Sequence, residues 1–472
     1  MSGVVIVGGG PAGHRLAARL VHHGHPGPVT VIGAEPGPAY NRALLGSVLD
    51  GTLEAGRTAL PALPDRVRRL TGVEVRAVDR AARTVRTGDG RELPYGVLVL
   101  ATGARPRLPR VRGLLRPCGR PADGVRTVRT LADCRPLPPG PAVVLGGSVR
   151  GVETALALRR AGHETVLVHP AGRLMDRYLD AEASAVLAGW AAGQGVDLRL
   201  GRRAEEYRPG KVVLDDGQVL AAGAVLLCTG TVPETGLARA CGLQVEDGPA
   251  AGVVVDGLLR TGDPHIHAIG DCAAPAGAFG RTVLGAWEQA EALALLLTGR
   301  GGPYTPGRRV LRPRTPGKDL VVLPAHGTRP PGDGERTVAL ADPARGRYAR
   351  LVLDGDRIRE GVVIGSPRAV AAVSGLHLRG APVPGDLFAL LAGGDGVYAG
   401  GGQLPPDAVV CHCNSVTRRA LEDAWHAGAR DEAALTRATR ATTGCGSCAS
   451  LVRTLCTDLA GAGAGEREGE LR

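Results

Sequence analysis

Lysine is nearly absent from this chain: Lys211 and Lys318 are the only two in 472 residues, and almost all the positive charge is arginine. Together with abundant Ala, Gly and Pro, this is the composition of a GC-rich coding sequence, so the net charge of +11 does not by itself mark a polyanion binder. Aromatic residues make up only 3% of the chain, and no basic run is interleaved with them. That argues against nucleic acid and leaves docking on an acidic protein as the expected use of the charge. No apolar run approaches the eighteen or so residues that a membrane helix needs. The opening "VVIVGGG" lacks a basic leader and a cleavage site, so no signal peptide is expected and the chain is read as cytoplasmic. Thiols stay reduced there, and the ten cysteines are read as ligands or core residues rather than a disulfide frame. The 72 glycines and 35 prolines follow no period, which excludes collagen and predicts many tight turns.

A chain of this length accommodates two to four domains. "VVIVGGGPAGHRLAARL" predicts a buried strand, a glycine turn and a helix. Gly8 permits the tight turn, Gly10 lets a pyrophosphate approach the backbone, and Gly13 allows close helix–strand packing, with Pro11 and Ala12 opening the helix between them. Phosphates then meet free N–H groups at the helix start. The next strand, "VTVIGAE", ends in Glu35, which is placed to accept ribose hydroxyls. Two further stretches bear on which dinucleotide binds: "LVLATGARPRLP" runs into Ala101, Thr102 and Gly103, and "TGDPHIHAIGDCAA" ends in Gly270 and Asp271. A strand-end aspartate there can accept hydrogen bonds from the polyol chain of a flavin. With the first fingerprint, these stretches resemble the FAD segments of the flavoproteins that carry two dinucleotide-binding domains. His265 and His267 are read as ordinary strand positions rather than metal ligands.

The plan repeats at "AVVLGGSVRGVETALALRRAGHETVLVH", with glycines at Gly146, Gly147 and Gly151 and Ser148 in the middle fingerprint position. The second strand ends in His169, and Arg173 follows four residues later, so NADH and NADPH both stay open. The resemblance implies that Glu153 stands at a helix start near flavin and nicotinamide, that Arg42 and Trp287 lie near the isoalloxazine, and that Gly230 belongs to the cofactor-binding set. An NAD(P)H domain inserted between two halves of an FAD domain implies hydride transfer from nicotinamide C4 to flavin N5. Cys118, Cys134, Cys228, Cys241 and Cys272 are all single, so no redox disulfide receives the electrons. No cysteine follows Glu35 in "EPGPAYNRALLGSVL", which argues against coenzyme A-dependent and peroxide reductases.

Near the C-terminal end, Cys411 and Cys413 are one residue apart, and after thirty-one residues Cys445 and Cys448 form a C-x-x-C pair. Four thiolates suit a [2Fe–2S] cluster, which passes electrons singly; a tetrahedral zinc site is the alternative. His412, between two ligands, is read as either a tuning group or filler. Two short helices are predicted between the pairs, the first capped by Ser415 or Thr417 and ended by Gly428.

The order of FAD fingerprint, "AYNR", ATG, second fingerprint, "RLMDRYLDAEA", GD, "AWEQAEALALLLTG" and cysteine domain resembles the flavoprotein half of the NAD(P)H nitrite reductase large subunit. It is also similar to the electron-transfer subunit of assimilatory nitrate reductase. "VVCHCNSVTRRAL" and "TTGCGSCASLV" resemble the BFD-like [2Fe–2S] domain. Rubredoxin and ferredoxin reductases of this fold carry a lysine where Ser47 stands, and Gly46 replaces the usual serine. The chain ends before any sirohaem half, so it is not expected to reduce nitrite itself.

The resemblance implies an α/β fold with two Rossmann-like domains, a small α+β interface domain and a small helical cluster domain. The expected boundaries are 1–115 and 241–300 for FAD, 116–240 for NAD(P)H, 301–365 for the interface domain, a hinge-like linker at 366–406, the [2Fe–2S] domain at 407–460 and an unstructured tail at 461–472. The function implied is an NAD(P)H-dependent FAD oxidoreductase that feeds a separate nitrate or nitrite reductase. A ferredoxin or rubredoxin reductase with a fused cluster domain is the alternative, and a redox-sensing or iron-handling protein is the alternative of another class.

Overall fold

The computed structural model describes residues 3–248, 251–277, 281–325, 334–392, 406, 409–411, 414, 416–443 and 448–469. It divides the chain into two compact units, Met1–Arg42 with Glu54–Pro109 and Thr229–Gly307, and Ala43–Leu53 with Arg110–Cys228 and Arg308–Arg472.

The first unit is built on a parallel sheet in the order Ile266–Ala268, Val97–Leu100, Val4–Val7, Val29–Gly33, Val67–Thr71. Its central strand is apolar at every position because both faces are covered. Val4 and Ile6 pack on one side with Leu16 and Leu20 of the helix Pro11–His22, and Val5 and Val7 on the other with Leu98 and Leu100. The helix Val283–Leu297 lies beside Pro11–His22.

The second unit repeats this frame in the order Val196–Leu200, Thr165–His169, Ala142–Leu145, Ala224–Leu227, Val125–Thr127. A four-stranded antiparallel sheet follows, ordered Leu320–Leu323, Arg357–Ile364, Arg347–Asp354, Glu335–Asp342. Alternation decides its two faces. Leu320, Val322, Tyr348, Val362 and Ile364 join the core of the nucleotide-binding sheet, whereas Val321, Leu323, Ala349, Leu351 and Val363 pack on the helix Pro367–Arg379.

Three expected boundaries are corrected. Residues 366–392 are not a linker: Ser366 caps the helix Pro367–Arg379, left-handed Gly380 ends it, and Ala369, Val370 and Val373 are fully buried. The helix Leu387–Ala392 follows, while 393–405 lies outside the described residues. The first unit ends at Pro109 and resumes at Thr229, because Ala104–Pro106 pairs with Thr231–Pro233 and draws both flanks into it. Residues 43–53 belong to the second unit through the helix Leu45–Leu49, which packs on Val149–Arg160.

The cysteine-bearing end forms a hairpin, Val409–Cys411 with Val416–Thr417, and the helices Arg418–His426, Glu432–Thr439 and Ala449–Gly469. Thr417 caps the first helix by accepting from the Ala420 N–H at 3.2 Å, and left-handed Gly428 follows its end. The last helix continues to Gly469 through the stretch expected as an unstructured tail. It is nucleated upstream, where Val452 is buried, and extending a formed helix costs far less than starting one.

Candidate nucleotide sites and cluster domain

In the first unit the strand Val4–Val7 leads into Gly8 at φ +124°, a conformation that glycine adopts without strain. A Cβ there would stand 2.0 Å from the Ala101 carbonyl oxygen, so the turn and the Ala101–Thr102–Gly103 strand end lie directly against each other. Gly13 is as tightly placed, with its Cβ position 2.0 Å from the Gly8 carbonyl. Gly10 caps the helix without a side chain and Pro11 begins it, leaving the first N–H groups facing the turn. Thr102 donates its hydroxyl to the Glu234 carbonyl at 2.6 Å. Gly270 is left-handed, and its N–H donates to buried Gln289 Oε1 at 2.6 Å, which fixes the turn that presents Asp271.

Glu35 follows the second strand and accepts from the Tyr40 hydroxyl at 2.6 Å. Arg42 pairs with the same carboxylate and donates to Tyr40 Oη at 3.0 Å. A side chain on Gly10 would approach Arg42 Nη2 at 3.9 Å. Arg42 therefore stands at the strand-end acid and close to the glycine turn. Trp287, in the helix Val283–Leu297, buries its indole N–H without a hydrogen-bond partner among the described residues. Such a donor costs about 1–3 kcal/mol unless something accepts from it. A flavin seated on this turn supplies acceptors, so the residues fit the group.

The second unit has the same construction. Gly146 is at φ +114°, and the Cβ position of Gly151 is only 1.7 Å from its carbonyl. Ser148 caps the helix Val149–Arg160 with φ −77° and ψ −179°, and Gly10 has φ −77° and ψ −171°. Serine thus takes the middle fingerprint position in a backbone open to any residue. Gly147 lies under the His169 ring, 2.7 Å from its added Cβ, and His169 Nε2 is 3.2 Å from Asp176 Oδ1. Arg173 is exposed and lines a cavity of about 610 Å³ with Ala171, Gly172 and Asp176. Glu153, one turn into the helix, accepts the Arg314 backbone N–H at 2.9 Å. Gly230 lies in the first unit, where its carbonyl accepts the Arg107 N–H at 2.9 Å.

Burial pushes the Cys228 thiol up to about 11 and Cys134 up to about 12, and it raises Cys272 as well. These thiols stay protonated and inert. Burial also lowers the pKa of His267, which lies in the strand Ile266–Ala268. At the cysteine-bearing end, Cys411 in the hairpin and Cys448 just before the last helix are 1% and 3% exposed and share one small core with Leu421, Trp425, Leu435 and Val452. Cys413 and Cys445, with His412 and Ser415, lie outside the described residues. The fold thus brings together one cysteine from each expected pair, as a four-thiolate site requires. Sequence reasoning missed Tyr40, Asp50 and Arg314; only the "AYNR" context pointed to the first.

Residues 2–294 match the model of the pyridine nucleotide-disulphide oxidoreductase family, and residues 409–456 match that of the BFD-like [2Fe-2S] binding domain. The chain is 29% identical to the Klebsiella oxytoca nitrite reductase [NAD(P)H] large subunit over 95% of its own length and 48% of that protein's. It is 26% identical to the Bacillus subtilis assimilatory nitrate reductase electron transfer subunit over 96% of its length and 59% of that protein's. It thus spans about half the length of these relatives. Rhodocoxin reductase of Rhodococcus erythropolis is 36% identical over 64% of this chain and 73% of its own length. Among solved structures, the covalent putidaredoxin reductase–putidaredoxin complex superposes with a TM-score of 0.72 at 28% identity, covering 83% of this chain and 98% of that one. With two glycine turns built alike and these matches across them, the chain belongs to the pyridine nucleotide-disulphide oxidoreductase family and carries a BFD-like [2Fe-2S] binding domain.

Proposed function

We propose that this oxidoreductase works in the cytoplasm, passing electrons from NAD(P)H through its cluster to a separate assimilatory nitrate or nitrite reductase. The observation that carries this reading is the C-terminal domain, whose core gathers Cys411 and Cys448 on the same chain as both nucleotide folds. Likeness to an assimilatory nitrate reductase electron transfer subunit over 96% of the chain supports the choice of acceptor. Likeness to rhodocoxin reductase favours the second reading, a ferredoxin-type reductase with its own fused cluster domain.

A bound flavin would supply hydride-accepting chemistry beside a nicotinamide, and a bound cluster would supply one-electron transfer. The residues of the chain hold and orient these groups. Gly8, Gly10 and Gly13 seat one pyrophosphate on the helix start at Pro11 and Ala12, Glu35 takes the adenosine ribose, Asp271 the polyol chain, and Trp287 the flavin edge. Gly146, Gly147, Ser148 and Gly151 seat the second nucleotide, and Glu153 orients its nicotinamide. Cys411, Cys413, Cys445 and Cys448 ligate the cluster. Steady turnover with an artificial one-electron acceptor separates this enzyme from a sensor, which stalls after one reduction. Mixing the holoprotein with a molybdenum nitrate reductase then tests the acceptor: NAD(P)H-dependent nitrite formation is expected, and reduction of ferredoxins alone would overturn the assignment.

A further inference from the structure

The segment 43–53 contains one ionisable side chain, Asp50, and no lysine or arginine occurs between Arg42 and Arg57. The Asp50 side chain is 0% exposed, so its charge has to be met by cations from elsewhere in the chain. Two arginines meet it. Arg160 pairs with it from the end of the helix Val149–Arg160, and Arg314 Nη1 stands 2.9 Å from Oδ2. Arg314 Nη2 also donates to Thr52 Oγ1 at 3.0 Å. Gly46 lies beside this guanidinium: a Cβ there would stand 3.5 Å from Nη1, an ordinary van der Waals contact. Arg314 is 9% exposed.

With its side chain clamped in this way, the backbone of Arg314 is fixed. Its N–H donates to Glu153 Oε1 at 2.9 Å, while Glu153 Oε2 is 3.5 Å from Arg150 Nη1. Buried ion pairs contribute little net stability compared with an apolar replacement, and setting register is their best-attested use. Here the clamp ends on a carboxylate one turn behind the phosphate-binding turn.

We propose that Arg314 is a positioning residue for nicotinamide binding: held by Asp50 and Thr52, it keeps its backbone N–H on Glu153 and fixes the carboxylate that orients the nicotinamide. This rests on the role given to Glu153 above. The test compares Arg314→Ala, Arg314→Lys, Glu153→Gln and the Arg314→Ala/Glu153→Gln double variant as full-length holoproteins. Calorimetry measures the Kd for NAD(P)+ and for ADP-ribose, which lacks the nicotinamide, and stopped-flow absorbance measures flavin reduction.

Arg314→Ala is expected to slow flavin reduction by about 10- to 100-fold and to weaken NAD(P)+ severalfold while leaving ADP-ribose unchanged, with Arg314→Lys recovering part of the loss. The double variant should be no slower than Glu153→Gln, because both act through one group. A normal reduction rate in Arg314→Ala beside a slow Glu153→Gln overturns the positioning role alone, as do additive losses or ADP-ribose weakening in step with NAD(P)+. A silent Glu153→Gln overturns the assignment of Glu153 first and the proposal with it. If the alanine variant does not fold, Arg314→Met keeps the volume, drops the charge and is read by the same criteria.

Discussion

Replacing Gly8 with alanine strikes the point where the first glycine turn meets its neighbouring strand. The added Cβ would stand 2.0 Å from the Ala101 carbonyl oxygen, and side-chain carbons essentially never approach within 3.0 Å, so the two backbones must part by about 1.0 Å. They are not free to part, because the Ala101 N–H donates to the Val7 carbonyl at 2.8 Å in the same parallel pair. The φ of +124° adds strain of its own. Backbone strain of about 1–3 kcal/mol and one weakened sheet hydrogen bond of about 1 kcal/mol give a loss of about 2–4 kcal/mol. A shift of that size at the pyrophosphate seat weakens FAD by about 100-fold. The assay is the flavin-to-protein absorbance ratio after gel filtration, with thermal unfolding followed before and after FAD is added back. ADP-ribose binding should persist, since its glycine turn lies in the other unit. One FAD per chain at wild-type affinity in Gly8→Ala would refute the placement of the flavin on this turn.

Asp271→Ala should loosen FAD while sparing ADP-ribose, as measured by flavin release on dilution. Cys445→Ser should remove or destabilise the cluster, seen as loss of iron, sulfide and brown colour, because a hard oxygen ligand suits iron–sulfur bonding poorly. Flavin reduction by NAD(P)H should survive in that variant and transfer to a protein acceptor should collapse; normal transfer would make the flavin itself the donor. Mild alkylation at pH 8 should label exposed Cys118 and spare Cys134 and Cys228, whose thiols burial pushes up to about 12 and about 11. Because the unfolded chain ionises these thiols near pH 9 while the folded one keeps them protonated, their contribution to stability is complete below pH 9 and falls as the pH rises towards 11. Peptide mapping that found Cys228 labelled as fast as Cys118 would contradict the burial.

Both parallel sheets were legible in the sequence because their central strands, Val4–Val7 and Ala142–Leu145, are apolar throughout and run straight into glycine turns. The helix Pro367–Arg379 was missed although Ser366, Pro367 and Gly380 punctuate it, because the surrounding Gly and Pro made the whole stretch look like a linker. The pairing of Arg42 with Glu35 was not legible, because spacing along the chain does not show which acid an arginine meets. Asp50 and Arg314 are 264 residues apart and belong to no motif; only the folded chain brings them together.

Each compact unit is assembled from three separated pieces of chain, as short as the eleven residues Ala43–Leu53. No contiguous fragment therefore encodes either unit, and no single cut releases one whole. Recombination with a relative can exchange the C-terminal cysteine domain at one junction, but exchanging a nucleotide-binding unit takes several crossovers at once. On this architecture, a lineage should change its electron outlet far more readily than its hydride inlet.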